Sequence, residues 1–244
     1  MMWPTIKSLP FVEHYEHFSS IASTNTYAAQ HPFVVHSGIA LFVTDVQEAG
    51  RGQRFNTFFS SSPHGLWVTL TVAVPSIADH FLVNRALSCA IAGAVKKRSS
   101  GHTTAIKWPN DIYLNNKKIG GILLQSVDGQ PNTIAAGFGI NANLSTNEFS
   151  EELRMIATSL WIETGREHSR EELLHDILTA FNHNLHRPTG EIHAVYASML
   201  WRLGAQVAIN NKEGLFDGVG TDGRLCLRVG NEREYIVAGI LKFL

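Results

Sequence analysis

The stretch TTAIKWPNDIYLNNKKIGGILLQS, residues 103–126, alternates short apolar runs with turn-forming residues. This pattern predicts three strands, at Thr104 to Trp108, Ile112 to Leu114 and Lys118 to Leu124. Pro109-Asn110-Asp111 would make the first turn and Asn115-Asn116 the second. Neighbouring backbone segments would then carry four polar side chains close together, namely those of Lys107, Asn110, Asp111 and Lys118.

Two cations beside a carboxylate suit an anionic ligand. Gly120 and Gly121 fall inside the third strand, where glycine weakens the strand but lets a ligand or another backbone come close. A plain surface hairpin with solvated lysines would account for the same residues. The stretch alone therefore leaves a binding site and a surface hairpin open.

The stretch resembles the signature region of the biotin protein ligase family, in which KWPND is followed shortly by K-[IL]-[AG]-G-I-L. These elements correspond here to Lys107 to Asp111 and Lys118 to Leu123. The resemblance implies an α+β fold like that of class II synthetases and the biotin/lipoate ligases: a mixed central sheet with packed helices, followed by a small C-terminal SH3-like β-barrel. It also implies a ligase that uses ATP to activate biotin to biotinyl-5'-AMP and then transfers biotin to a lysine of an acceptor protein.

The composition fits such an enzyme. A chain of 244 residues with 44% hydrophobic and 17% charged residues is globular, and suffices for one large domain or a large and a small one. A net charge of -1 at pH 7 gives no positive field for broad nucleic-acid binding. Cys89 and Cys226 are too few for a disulfide framework. Neither a signal-peptide pattern nor a membrane-spanning apolar run is present, so we expect a cytoplasmic protein that binds no DNA and no membrane.

Ser23-Thr24-Asn25 precedes a predicted helix over Thr26 to Gln30, and Ser23 or Thr24 is a natural N-cap. Capping alone would explain these residues. The family, however, has an STN motif at this place, whose hydroxyls resemble a grip on the ureido ring of biotin.

A glycine-flanked arginine, Arg51, follows the predicted strand Ile39 to Val46. Backbone N–H groups and a guanidinium in such a loop suit a phosphate or carboxylate, although a basic solvent loop has the same composition. The loop resembles the family's Q-x-x-G-R-G-R-x-x-x-x-W element. Gln53 stands in place of its second arginine and Phe58 in place of its tryptophan. Phe58 keeps an aromatic face, whereas Gln53 lacks a positive charge, so we expect this protein to lose its acyl-adenylate faster than its relatives do.

Residues 137–142, GFGINA, fit the dinucleotide fingerprint G-x-G-x-x-[GA]. The loop formers at 143–147 cannot supply the helix that this fingerprint requires, so we reject that interpretation. The residues better resemble the family's G-x-G-[IL]-N-x-N element, which implies that Asn141 lies in the adenylate pocket. Ala157 to Leu160 resembles the family's A-T-S-L, and no Walker A motif is present.

The remaining patterns predict further elements. Two strands are expected, at Gly65 to Val72 and at Thr133 to Phe138. Three helices are expected: one at Phe81 to Arg98, one that begins after the capping box Ser169-x-x-Glu172, and one at Glu191 to Leu203. Short strands with glycine turns follow from Ala205, and the last of them is expected at residues 234–243, EYIVAGILKF. We therefore expect a catalytic domain at 1–203 and an SH3-like domain at 204–244. His183 and His186 are spaced to share a helix face, but no ligand set completes a metal site.

The resemblance implies specific roles. Arg51 and Lys118 would act in catalysis by neutralising the biotin carboxylate and the developing phosphoryl charge. The implied biotin-binding residues are Ser23, Thr24, Asn25, Gln47, Gly50, Arg51, Gly52, Lys118, Gly120 and Gly121. The implied ATP- or adenylate-binding residues are Arg54, Phe58, Lys107, Trp108, Asn110, Asp111 and Asn141. Trp67 and Trp108 would be walls of the biotin slot.

The same resemblance implies the ligands and partners. ATP would bind with Mg²⁺ bridging its phosphates, and the acceptor would be the biotin carboxyl carrier protein of acetyl-CoA carboxylase. Relatives occur as monomers and as homodimers. Since the predicted catalytic region starts almost at once, we expect no N-terminal DNA-binding domain.

Three other functions remain open. A lipoate or octanoate ligase or transferase of the same fold would be favoured by an RRxSGGG element or a loop cysteine, and the sequence has neither. The second is a non-catalytic biotin- or adenylate-binding module, favoured by Gln53 and disfavoured by the retained Arg51, Lys107 and Lys118. The third is an interaction scaffold built on the SH3-like barrel.

Overall fold

A seven-stranded sheet in the order β1-β2-β3-β7-β6-β5-β4 carries the fold. The computed structural model describes residues 3–53, 57–76 and 79–244. The strands are β1 (Val12–Ile21), β2 (Ile39–Gln47), β3 (Leu66–Ala73), β4 (Thr104–Lys107), β5 (Asp111–Leu114), β6 (Lys117–Val127) and β7 (Gln130–Ile140). β1 and β2 pair in parallel and the other neighbours pair antiparallel, which confirms the predicted mixed sheet.

Helices cover both faces of this sheet. They are α1 (Pro4–Lys7), α2 (Thr24–Gln30), α3 (His80–Arg98), α4 (Glu151–Ile156), α5 (Leu160–Thr164), α6 (Arg170–Leu185) and α7 (Thr189–Ser198). On β2, Leu41 and Val43 belong to the apolar cluster that contains α3, whereas Ala40 and Phe42 pack with α2. Alternate residues of a strand point to opposite faces, so β2 is buried with α3 on one face of the sheet and α2 on the other.

The central meander has the predicted form. β4 pairs with β5 and β5 with β6, so that Lys107 lies opposite Asp111 and Tyr113 lies opposite Lys118. Ser23 caps α2 by accepting a hydrogen bond from the Thr26 amide. The chain continues after Ile140 as a loop, which agrees with the absence of a dinucleotide-binding helix there.

A second, five-stranded antiparallel sheet follows in the order β11-β10-β9-β8-β12. Its strands are β8 (Gln206–Ile209), β9 (Lys212–Val219), β10 (Leu225–Val229), β11 (Glu232–Ile236) and β12 (Lys242–Phe243). Val207, Phe216 and Leu227 of this sheet belong to the same apolar cluster as the central sheet. The division of the chain at 203 and 204 therefore stays a prediction.

Two predicted bounds in the C-terminal part are wrong. The helix expected to reach Leu203 ends at Ser198, because the backbone beyond it pairs with the edge strand β4: the Ile106 amide donates to the Met199 carbonyl and the Trp201 amide donates to the Ile106 carbonyl. The last predicted strand is interrupted between Ile236 and Lys242. Within the described ranges, no helix has both the length and the apolar character that crossing a membrane requires.

Candidate functional site

A cavity of about 230 Å³ lies beside β6 and β7. Most of the residues singled out in the sequence line it. They are Ser23, Thr24, Asn25, Gln47, Arg51, Gly52, Phe58, Lys107, Trp108, Asn110, Asp111, Lys118 and Gly121. The fold thus brings the start of α2, the loop after β2 and the β4–β6 meander to one place.

One part of the cavity is buried and polar. Thr24 donates its backbone amide to Gln47 Oε1 at 3.0 Å, and its hydroxyl lies 2.8 Å from the Thr69 hydroxyl. Ser23, Thr24 and Thr69 are each less than 5% exposed. These contacts fix the start of α2 against β2 and β3 and present neutral hydroxyls to the cavity.

Asn25 gives this polar part an unpaired acceptor. Its amide nitrogen donates to Gln125 Oε1 at 2.5 Å, whereas its Oδ1 is buried without a hydrogen-bond partner among the described residues. A Cβ at Gly137 would lie 2.9 Å from this Oδ1, so glycine is what lets the amide pack against β7. Because an unpaired buried acceptor costs about 1–3 kcal/mol, Oδ1 is suited to accept a hydrogen bond from a ligand N–H.

A second part of the cavity is cationic. Lys118 Nζ lies 2.6 Å from Asp111 Oδ1 and 5.9 Å from the centre of the Phe58 ring. Asn110 donates its side-chain amide to the Ile122 carbonyl, and the Ile122 amide returns a 3.0 Å hydrogen bond to the Asn110 carbonyl. The turn between β4 and β5 is therefore tied to β6, next to Lys118.

Lys107 is the other lysine of the cationic part. Burial lowers the pKa of its ammonium; Asp111 opposes this shift, and Lys118 and Arg202 add to it. In the described part of the chain, this ammonium has no carboxylate partner, because Asp111 is paired with Lys118.

Arg51 enters from the loop that follows β2. It pairs with Thr57 as an isolated bridge, and the Phe58 amide donates to the Gly50 carbonyl at 3.0 Å. Gly50 does not line the cavity; a side chain there would collide with Ser60 and the Phe58 carbonyl, so its contribution is to let the loop fold back on itself.

The polar and cationic parts are offset along β6. Gly121 lies beside Asp111 and Lys118, since a Cβ there would be 3.2 Å from Asp111 Oδ1. Leu123, two residues on, accepts a hydrogen bond from Asn25 through its carbonyl. Two residues of strand span about 7 Å. The cavity thus suits an elongated ligand with neutral N–H donors in one part and anionic groups in the other.

The C-terminal sheet contributes to the site, which the sequence did not predict. The Trp108 indole donates a 3.0 Å hydrogen bond to the Gly223 carbonyl, in the turn between β9 and β10. The segment Gly239 to Leu241, which interrupts the last predicted strand, lines the cavity. No motif marks either segment, because both meet the cavity only through the packing of the two sheets.

Several predicted site residues lie elsewhere. Gly120 faces away, since a side chain there would collide with the Gly139 carbonyl. Asn141 does not line the cavity. Its side-chain amide donates to the Thr158 carbonyl at 2.9 Å, and the Thr158 amide donates to the Lys118 carbonyl. Asn141 therefore supports the backbone of Lys118. Arg54 lies outside the described residues, and its role stays a prediction.

Trp67 is fully buried behind the cavity, where it packs edge-on against Phe58 at 5.9 Å between ring centres. Thr69 and Gly137 line the cavity but were not predicted. The strand alternation of Gly65 to Val72 contained a signal for Thr69, since a polar residue within a buried strand needs a partner.

The described residues contain no cluster of three or more His, Cys, Asp or Glu side chains placed to hold a metal ion. Asp111 is the one carboxylate among the described residues that line the cavity. A divalent ion here would take most of its ligands from a bound phosphate and from water.

The family model described as the Biotin/lipoate A/B protein ligase family matches residues 17–141. Among curated proteins, the Bifunctional ligase/repressor BirA of Bacillus subtilis is 36% identical over 144 residues, which are 58% of this chain and 44% of that protein. The Biotin--[acetyl-CoA-carboxylase] ligase of Paracoccus denitrificans is 33% identical over 150 residues, covering 57% of this chain and 62% of that protein. The matched region thus spans less than two thirds of either relative.

Solved structures share the whole fold. The biotin protein ligase from Aquifex aeolicus in complex with biotin and ATP is 22% identical, with a TM-score of 0.81 over 95% of this chain and 100% of that one. Biotin Acetyl Coenzyme A Carboxylase Synthetase from Helicobacter pylori, with bound biotinylated ATP, is 21% identical with a TM-score of 0.63. These likenesses confirm the predicted α+β fold with its small C-terminal sheet.

Proposed function

Because the chain belongs to the biotin/lipoate A/B protein ligase family, we propose that it is an ATP-dependent biotin protein ligase. The acid it activates is biotin, and the product of the first step is biotinyl-5'-AMP. The acceptor is a lysine of a biotin carboxyl carrier domain, such as that of acetyl-CoA carboxylase.

The observation that carries this proposal is that one cavity combines a neutral, hydrogen-bonding part with a cationic part. The unpaired Asn25 Oδ1 and the buried hydroxyls of Thr24 and Thr69 suit the N–H and C=O groups of a ureido ring. A dithiolane ring or an octanoyl chain offers no N–H donor and would leave this acceptor unpaired. The polar part of the cavity therefore favours biotin over lipoate and octanoate.

The cationic part supports the first chemical step. A biotin carboxylate oxygen attacks the α-phosphorus of ATP, the bond to the bridging oxygen breaks, and pyrophosphate leaves with the electron pair. Arg51 and Lys118, both lining the cavity, neutralise the two anions that must meet. Lys107 and Asn110 shape the nucleotide end, and preorganised charges of this kind typically stabilise a transition state more than any other single effect does.

The second step needs less from this chain. The acceptor amine attacks the carbonyl carbon of the mixed anhydride, the acyl–oxygen bond breaks, and AMP leaves as the anion. The ammonium-like intermediate then loses a proton to give the amide. Shielding the anhydride from water is the remaining task, to which Arg51, Gly52 and the Gly239 to Leu241 segment contribute as parts of the cavity wall.

Mg²⁺ would be bound together with ATP. It prefers phosphate oxygens, water and one or two carboxylates, and Asp111 is the carboxylate available among the described lining residues once Lys118 turns to its ligand. The ion supplies charge neutralisation of the phosphates when bound.

Biotin-dependent exchange of labelled pyrophosphate into ATP tests the proposal. We expect exchange with biotin and none with lipoate or octanoate, followed by a mass increase of a carboxyl carrier domain at a single lysine. Exchange with lipoate in place of biotin would make the chain a lipoate ligase. Biotin binding without any exchange would make it a binding module.

A matched pair of variants tests the polar part. Asn25→Ala should raise the KM for biotin about tenfold to a hundredfold, because the ligand loses a buried hydrogen bond, and should leave the KM for ATP unchanged. Thr26→Ala, one residue on and outside the cavity lining, should change neither. Equal KM values for biotin in the Asn25 variant and the wild type would remove the main support for biotin as the substrate.

A further inference from the structure

Three aromatic rings lie near the ammonium of Lys107. Its Nζ lies 5.7 Å from the centre of the Tyr113 ring, 5.8 Å from that of Trp201 and 5.9 Å from that of Phe243. All three distances are within the range of about 6 Å for cation–π attraction. We call these three residues the aromatic box.

The box is assembled from distant parts of the chain. Tyr113 lies on β5, Trp201 in the segment that pairs with β4, and Phe243 on β12 of the second sheet. The Tyr113 and Trp201 rings stack at 4.5 Å between centres, and Phe243 meets Trp201 edge-on at 4.7 Å. The Trp201 indole also donates to Asn116 at 2.9 Å. These contacts hold the rings in fixed positions around the ammonium.

A box of rings differs chemically from a carboxylate partner. A carboxylate would neutralise Lys107 and compete with an incoming anion, as Asp111 does at Lys118. Ring faces attract the ammonium through their quadrupole but carry no net charge. Lys107 therefore keeps its full positive charge for a ligand in the cavity that it lines.

The box also opposes the cost of burial. Burial and the nearby cations Lys118 and Arg202 lower the pKa of Lys107. Arg202 itself lies over the Trp201 ring at 4.5 Å and over Phe243 at 5.6 Å, so the rings stand near both cations. Without the rings, the ammonium would be harder to keep charged.

We propose that Tyr113, Trp201 and Phe243 are positioning residues that hold the Lys107 ammonium ready for the polyphosphate of ATP. Through Phe243, the C-terminal sheet thereby takes part in adenylation. The inference rests on the proposed function, because it takes ATP as the anionic ligand. The rings act through Lys107 and touch no reacting atom.

Steady-state exchange kinetics on the full chain test the proposal. Phe243→Leu and Trp201→Leu keep an apolar side chain but remove a ring, so each should raise the KM for ATP roughly twofold to thirtyfold. The KM for biotin should stay within about twofold, since the cations beside these rings, Lys107 and Arg202, are not among the groups that we assign to biotin. Phe243→Tyr keeps the ring and should restore the KM for ATP.

A double-mutant cycle separates positioning from packing. In a Lys107→Met background, Phe243→Leu should raise the KM for ATP no further, because Lys107, the cation through which the ring acts on ATP, is gone. Tyr235→Leu is the matched control: Tyr235 lies on the same sheet with Arg224 5.1 Å from its ring, but outside the cavity lining. An equal rise in both KM values, or additive effects in the cycle, would make the rings structural and overturn the proposal.

A ligand-free measurement distinguishes failure of this inference from failure of the proposed function. In ¹H–¹³C spectra, the ε-methylene of Lys107, assigned with Lys107→Met, should show an upfield ring-current shift that shrinks in Phe243→Leu. If the wild type catalyses no exchange, the proposed function fails, and inorganic pyrophosphate becomes the probe. Weaker pyrophosphate binding in Phe243→Leu would retain the inference, whereas a normal methylene shift, unchanged binding or no binding would overturn it.

Discussion

Lys118 Nζ and Asp111 Oδ1 form an ion pair of 2.6 Å across the β5–β6 pairing. Both side chains are partly exposed, at 33% and 24%, so solvent screens the pair and its contribution to stability is small. The cation that we assign to the biotin carboxylate is therefore held by a carboxylate of the protein until a ligand replaces it. The pair orients Lys118 in the free protein.

Lys118→Ala should lower the rate of biotin-dependent pyrophosphate exchange roughly a hundredfold to a thousandfold, the usual effect of removing one preorganised donor. Lys117→Ala is the matched control, because the Lys117 amine donates to the Arg154 carbonyl at 3.0 Å and lies outside the cavity lining. A near-normal rate in the Lys118 variant would defeat the assignment.

Gln53→Arg should slow the release of biotinyl-5'-AMP about tenfold, because a charge-assisted hydrogen bond to the phosphate is stronger than one from a neutral amide. Gln53 lines the cavity and is exposed, so a longer cationic side chain has room. The measurement is the decay of enzyme-bound adenylate after excess biotin and ATP are removed. Gln53→Met, which adds no charge, should not slow the decay; equal retention in all three proteins would contradict the expected leak.

Gly223→Ala should destabilise the protein more than Gly230→Ala. Both glycines have positive φ, 87° and 61°, so both variants adopt a backbone conformation that alanine disfavours. A Cβ at Gly223 would also lie 2.4 Å from the Phe81 ring, whereas nothing lies within 4 Å of one at Gly230. The difference in the free energy of unfolding in urea should be about 1–3 kcal/mol, and equal values would mean that the turn does not dock tightly on α3.

Glu148 should contribute an acid-sensitive part of the stability. Burial acts to raise the pKa of its carboxyl, but hydrogen bonds from Ser62, Ser145 and His64 outweigh burial and lower the pKa from 4.5 to about 2. The unfolded chain therefore binds a proton at higher pH than the folded one, so this contribution is complete above about pH 4.5 and declines as the pH falls toward 2.

Glu148→Gln should accordingly lower the free energy of unfolding by about 1–3 kcal/mol at pH 7. The difference from the wild type should shrink below pH 4.5. Glu151→Gln, in the exposed first turn of α4, is the control and should leave the decline of the free energy of unfolding at acid pH unchanged. A difference that does not vary with pH would assign the effect to packing.

The central meander shows which element bounds can be predicted from local sequence. Strand and turn signals between Thr104 and Leu124 predicted its three strands within a few residues, because each strand is bounded by residues with strong turn preferences. The helix after Pro188 was predicted to run too far, since nothing local marks the pairing of Met199 and Trp201 with β4. A helix end set by a distant strand has no signature in its own sequence.

The candidate site also contains both residues whose place the sequence predicted and residues whose place it did not. Its motif residues were predicted because a resemblance identified them, and most of them line one cavity. Asn141 matched a motif as well, yet its amide holds Thr158 beside Lys118. A motif match identifies a position that the family uses but does not distinguish a ligand contact from a support.

The sequence by itself determined the strands of the central meander through local periodicity and turn residues. Its short motifs identified the family, and the resemblance implied the mixed sheet and the grouping of Ser23 to Asn25 with Lys107 to Lys118. Only the tertiary structure decided that Asn25 Oδ1 has no hydrogen-bond partner within the described part of the chain and that Gly239 to Leu241 line the cavity. The same holds for the rings of Trp201 and Phe243 around Lys107. These features arise where two separately patterned sheets pack together, and packing between distant segments leaves no periodic trace in either one.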